Sequence, residues 1–217
     1  MTIELLTGED QRPWKTERKS RNVKHIDEQK LEEDLDYRYE YLAEFMGFGE
    51  ADVAVIHRVA PQIMPKVPEI VDASYQALLA YDATARHFLP RGQGYEGPLA
   101  ETLDALAANH EQIQFRKQHL TTYLMNVLGR PYDQSMVRYL DVVSKMHTRH
   151  GGSPRIDVPV VQMNAFMGKL AELLMDAILS LDLDRQTSLE TVKAFHKLLW
   201  IQNDLIGRWY RKPADDK

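Results

Sequence analysis

From Leu35 onward the apolar residues of this chain recur at intervals of three and four. No stretch alternates long enough to make a half-buried strand, so the pattern restricts the fold to helices. Leu35, Tyr39, Leu42 and Met46 share a face, and Gly47 follows as a natural C-terminal cap. A second helix runs from about Glu50, with Val53, Ile56 and Val59 on one side. Pro61, Pro65 and Pro68 then force a boundary, because proline is accepted in a first turn but not in a helix interior. The next helix carries Val67, Val71, Tyr75, Leu78 and Leu79. Glycines and prolines crowd the stretch from Pro90 to Pro98 and mark a loop, with Pro98 placed to open a helix that runs to Leu128 and stops at Gly129-Arg130-Pro131. Another helix starts near Asp133, an N-cap residue, and ends before Gly151-Gly152-Ser153-Pro154. A long apolar helix spans about Pro159 to Leu181. The last opens on Thr187-Ser188-Leu189-Glu190, a capping-box pattern, and continues to about Trp209. The expectation is an all-α domain over residues 31–217, preceded by an extension over residues 1–30.

That extension is rich in charge. Arg12, Lys15, Arg18, Lys19, Arg21 and Lys24 are followed by Glu32, Glu33, Asp34 and Asp36. It reads as an arm for an anionic partner or as a solvated segment anchored by Trp14. The whole chain is mildly acidic, with a net charge of -5, so it lacks the basic excess of a nucleic-acid binder. No apolar run is long enough to cross a membrane, and Met1 to Asp10 lacks the pattern of a secretory signal. Cysteine is absent, which excludes disulfides, cysteine-ligated zinc, iron–sulfur clusters, cysteine nucleophiles and covalently attached c-type haem. A reducing, cytoplasmic setting is the expectation.

With no cysteine, any metal ligation falls to the histidines. His147 and His150 stand three apart near a helix end, but no third zinc ligand lies close in sequence. His147 shares an apolar stripe with Leu140 and Val143. It is either a core histidine bonded to a backbone carbonyl or a ligand for an iron porphyrin between helices. Periodicity does not choose between His147 and His150. Tyr75, among Val71, Leu78 and Leu79, is a core tyrosine or a donor aimed into a cavity. Met163, Phe166, Met167, Leu170 and Leu174 line one face of the long helix, and Leu173, Ile178 and Leu181 continue around it. Such a helix is buried, or is shared between its own subunit and another. Serine-nucleophile elbows, phosphate-binding loops and dinucleotide-binding glycine patterns are missing.

Four blocks of sequence, in order, carry a family likeness. They are Tyr37-Arg38-Tyr39 … Phe45-Met46-Gly47-Phe48; Ile70-Val71-Asp72-Ala73-Ser74-Tyr75; the stretch from Tyr132-Asp133 through Lys145-Met146-His147-Thr148 and Gly151 to Gln162-Met163-Asn164-Ala165; and Leu199-Trp200-Ile201-Gln202-Asn203-Asp204-Leu205. Over residues 35–211 the chain resembles the protoglobin family, single-domain relatives of the sensor domains of globin-coupled sensors.

The resemblance implies a globin fold with an extra N-terminal helix and one non-covalent haem b (iron protoporphyrin IX). His147 matches the proximal ligand and Tyr75 the distal tyrosine. Leu120 falls over the iron on the distal helix, and Val143, Met163 and Phe166 form pocket walls. A carbonyl one turn back, from Val143 or Ser144, is the expected acceptor for the second N–H of His147. Archaeal members usually carry tryptophan just before the distal tyrosine; Ser74 stands there in this chain, and a more open distal side is expected. His119 is expected to point away from the haem if Leu120 faces it. The family dimerises through its last two long helices, which correspond to Pro159–Leu181 and Leu189–Trp209.

The leading functional expectation is therefore reversible binding of O2, CO or NO at an open axial site, for gas sensing, storage or detoxification. A haem enzyme with peroxidase-like, dioxygenase-like or carbene-transfer chemistry is a second class. A haem-free helical dimer that serves as an interaction module is a third. No output domain follows Lys217, which points to a free-standing globin or a sensor acting through a separate partner.

Overall fold

The structure is a computed structural model that describes residues 23–151, 153 and 155–211. Trp14 and the basic residues from Arg12 to Arg21 lie outside the described residues. Among those described, every regular element is helical. The α-helices are α1 (Glu28–Glu33), α2 (Leu35–Met46), α3 (Glu50–Ile63), α4 (Val67–Leu79), α5 (Asp82–Ala85), α6 (Glu111–Gly129), α7 (Gln134–Lys145), α8 (Val160–Leu179) and α9 (Arg185–Arg211). Short 3-10 turns at Met64–Lys66 and Arg86–Phe88 complete the set.

Local chemistry sets most of the boundaries. Asp34 caps α2 by accepting from the backbone N–H groups of Asp36 and Tyr37. Gly47 ends α2 at φ 63°, a left-handed conformation that glycine adopts without a Cβ penalty. The three prolines behave as their positions require. Pro61 falls in the last turn of α3, Pro65 in the 3-10 turn, and Pro68 in the first turn of α4, where a missing N–H costs nothing.

Three expectations need correction. Pro98 does not open α6, which starts at Glu111 with His110 as its N-cap. The intervening segment is held irregular by Gln112, a fully buried side chain on the first turn of α6. Its amide nitrogen donates to the carbonyls of Phe88, Leu89 and Pro90, and its amide oxygen accepts from Ala100 N at 3.2 Å. These bonds take the place of a helical ladder.

The last helix starts at Arg185, ahead of the Thr187–Glu190 box. Asp184 caps it, accepting from Gln186 N at 2.9 Å and Thr187 N at 3.0 Å. With the helix already begun at Arg185, Thr187 lies inside its first turn and is not the cap; its hydroxyl donates to Asp184 instead.

Helix α7 stops at Lys145, so His147 sits in the following turn rather than within the helix. The carbonyl of His147 accepts from Val158 N at 2.9 Å, which diverts it from helical pairing. The turn folds back so tightly that a Cβ at Gly151 would lie 2.7 Å from Lys145 O. Only glycine fits there.

The long helix α9 runs through the core and packs against α8, α3 and α7, while α4 packs against α6 and α8. Ile56, Val59 and Ile63 of α3 meet a core that includes Leu198, Ile201 and Leu205 of α9 and Leu170, Leu174 and Ile178 of α8. Burying each such side chain stabilises the fold by about 1.5–3 kcal/mol before entropy is counted. A bidentate pair ties α2 to α9: Arg38 donates to Asp204 at 2.5 Å and 2.9 Å. No helix among the described residues is long and apolar enough to cross a membrane.

Candidate functional site

Helices α4, α6, α7, α8 and α9 enclose a cavity of about 410 Å³. That volume lies in the range of about 300–1,000 Å³ typical of small-molecule sites. The wall is mostly apolar. Tyr75 comes from α4, Leu120 from α6, Val143 from α7, His147 from the turn after α7, and Met163 and Phe166 from α8. The structure thus brings all six side chains singled out in the sequence to one cavity. His150 is not on its wall; it lies in a neighbouring polar cleft against the ring of Trp209, 5.8 Å between centroids. The two histidines therefore face different sites and share no metal.

His147 has a defined tautomer. Its Nδ1 lies 2.9 Å from Val143 O, one turn back. A carbonyl oxygen only accepts, so Nδ1 carries the hydrogen and Nε2 keeps its lone pair. Burial pushes the pKa of this ring below its ordinary value of 6.5, against the opposing pull of the Val143 bond. The ring is held neutral, the state in which imidazole ligates a metal. The adjacent Ser144 is fully buried; its hydroxyl donates to Leu140 O at 2.7 Å and accepts from Gln202 Nε2 at 2.7 Å. That bond fixes the end of α7 to α9.

Tyr75 is buried, and no described residue hydrogen-bonds its hydroxyl. Burial raises its pKa, so it stays a phenol and keeps its proton to donate. Its ring packs on Phe88 at 5.5 Å. Ser74 is fully buried and does not line the cavity. His119 is exposed and borders the cavity next to Leu120, with its ring 4.4 Å from that of Phe115. Partial burial and, after it, the nearby Arg116 lower its pKa.

The sequence reading missed Arg116, His87, Gln162 and Gln202. All four line the cavity; Arg116 Nε and Nη2 and Gln202 Oε1 are buried with no hydrogen-bond partner, while the His87 and Gln162 side chains lie close enough to interact with each other. Native interiors satisfy nearly all such atoms, so these orphans on one cavity wall call for an occupant with polar groups of its own. In sequence, Arg116-Lys117-Gln118 looks like a solvated helix face, and no local signal separates Arg116 from its neighbours. Among the described residues no three His, Asp or Glu side chains are grouped to hold a bare metal ion. A metal beside His147 would take its other ligands from a cofactor. A largely apolar cavity and one neutral imidazole with a free Nε2 fit a flat apolar ring system with a central metal.

The helices and the cavity they enclose define a globin domain. A solved structure with this arrangement is the globin domain of the Geobacter sulfurreducens globin-coupled sensor. It superposes with a TM-score of 0.60 at 16% identity, covering 80% of this chain and 97% of that one. No curated protein matches the chain. The protoglobin family model matches residues 35–216, and the chain belongs to the protoglobin family. Membership of a globin family implies haem binding in general.

Proposed function

We propose that the cavity holds haem b, that His147 ligates its iron through Nε2, and that the protein reversibly binds O2, CO or NO for sensing, storage or detoxification. The observation that carries this reading is the His147 ring itself: neutral, turned toward the cavity, and protonated on the nitrogen that faces Val143 O rather than on the one left free. Haem held by these residues would supply an iron able to bind a diatomic ligand.

The residues divide the work. Val143 O holds the His147 ring in one orientation and raises the basicity of Nε2 by accepting its second N–H. Gln202 and Ser144 fix the helix end that carries Val143. Leu120, Met163 and Phe166 exclude water from the ring system. Tyr75 keeps its proton and offers it to a ligand on the side away from His147.

We further place two copies of the chain together through α8 and α9. Met175, Leu179, Leu189 and Trp200 on these helices are exposed, with Leu179 at 64% and Trp200 at 56%. Apolar surface of this kind is what a subunit interface covers. The absence of cysteine suits a cytoplasmic setting.

Titration of the apoprotein with haemin tests the main claim. A sharp Soret band that saturates at one haemin per chain, with quenching of tryptophan fluorescence, is the expected result. A broad band that grows without saturation would mean non-specific adsorption and would remove the reading.

A further inference from the structure

Among the described residues, Arg116 is the one cavity-lining residue with a permanent charge, and no carboxylate shares the wall. Its Nε and Nη2 are sealed from water and have no partner. No ion pair reaches it among the described residues. The loop before α6 closes over it: a Cβ at Gly92 would lie 2.7 Å from Arg116 Cζ and Nη2. Glycine at this point lets the backbone lie directly against the guanidinium. Burial works against the charge and lowers the Arg116 pKa. The residue is half-buried; a cation with two covered, unpaired nitrogens is costly, and an anion placed beside it reduces that cost.

The position of the charge narrows the choice of anion. Arg116 stands one turn before Leu120, on the same helix face. Tyr75, His119 and His147 share this wall with it. A guanidinium on the same wall as the Tyr75 phenol suits a small anion that fits within the cavity.

Resting on the haem reading above, we infer that Arg116 makes this cavity selective for small anionic ligands of the bound haem, of the azide, fluoride and nitrite type. The guanidinium takes the ligand's charge and the Tyr75 hydroxyl adds a second donor. A neutral ligand such as CO gains nothing from the charge. The same guanidinium chemistry would also serve a propionate of the haem, and the experiment separates the two.

Ferric protein is titrated with azide and with fluoride, and ferrous protein with CO, followed by absorption, for the wild type, Arg116→Met and Arg116→Lys. Haem loss to an excess of apomyoglobin is timed for each, and the apoproteins are melted. Charge-assisted bonds lead us to expect azide and fluoride to bind about tenfold or more weakly in Arg116→Met, with partial recovery in Arg116→Lys. CO affinity and the rate of haem loss should stay unchanged. The Arg116→Met apoprotein should melt no lower than the wild type, since it loses an unpaired charge. Faster haem loss with unchanged azide affinity would assign Arg116 to a propionate and overturn the inference. Equal losses for azide and CO, or a lower apoprotein melt, would overturn it as well. A wild type that takes up no haemin overturns the haem reading and this inference together.

Discussion

The Nδ1–H of His147 donates to the carbonyl oxygen of Val143 at 2.9 Å, one turn back along the chain. The contact exists because α7 ends at Lys145 and the chain turns there, placing the imidazole beside a carbonyl that the finished helix leaves free. The same hydrogen bond sets which nitrogen faces the cavity. The end of α7 therefore determines the chemistry the cavity is offered, and variants that disturb it should be read through that bond.

Gln202 is the first of these. Its amide donates to Ser144 Oγ at 2.7 Å, next to Val143. Gln202→Leu removes the bond while Ser144 keeps its own to Leu140 O. The expected cost is about 1 kcal/mol, or about 2–4 °C in Tm for a chain of this size. With the helix end loosened, haem should dissociate faster. Melting curves of the apoprotein and haem-transfer rates check the two effects separately.

Tyr75→Phe removes the hydroxyl of a cavity-lining side chain that has no hydrogen-bond partner among the described residues. The apoprotein should therefore melt no lower than the wild type. Loss of a donated hydrogen bond of about 1 kcal/mol should lower O2 affinity about fivefold and leave CO affinity unchanged. Flash photolysis with both gases measures the ratio; an unchanged ratio would remove Tyr75 from the ligand's surroundings.

Asp133 caps α7, accepting from Met136 N at 3.0 Å and from the Ser135 hydroxyl at 2.6 Å. These bonds hold its carboxyl below its ordinary value of 3.8. A carboxylate depressed in the folded state stabilises above its unfolded pKa, and that contribution is lost as pH falls through the folded value. Asp133→Ala should melt lower than the wild type at pH 7. The gap should start to close only below about pH 3.8. Melting curves across that pH window test the sign.

The Arg38–Asp204 pair joins α2 to α9 with bonds of 2.5 Å and 2.9 Å. The Arg38 side chain is 7% exposed and that of Asp204 28%. Removing one partner of a fully buried pair costs about 3–5 kcal/mol, and an exposed pair contributes less than about 1. Arg38→Met falls between, at about 2 kcal/mol, read by urea unfolding.

Much of this architecture is legible in the sequence because local signals and packing agree. Gly47 ends α2 where the apolar stripe stops, and Asp133 caps α7 where it begins. The misread boundaries are those decided from a distance. The segment from Pro98 to His110 is held open by Gln112 reaching the carbonyls of Phe88, Leu89 and Pro90, which sequence spacing does not encode. Periodic stripes place Val143, Met163 and Phe166 on buried helix faces, and it is the family resemblance that implies they are pocket walls. The polar part of the cavity was not legible. Arg116 sits among other polar residues, and only the packed helices show that it is turned inward with two nitrogens left unpaired.

The most direct test of the central claim is the absorption spectrum of haem-loaded protein beside that of His147→Gly, with and without added imidazole. The account predicts a Soret band in the wild type that shifts under CO after reduction. It predicts an altered or lost band in the variant, and recovery of the wild-type spectrum when free imidazole fills the space the side chain leaves. A variant whose spectrum matches the wild type without imidazole would contradict ligation by His147 and return that residue to a structural role.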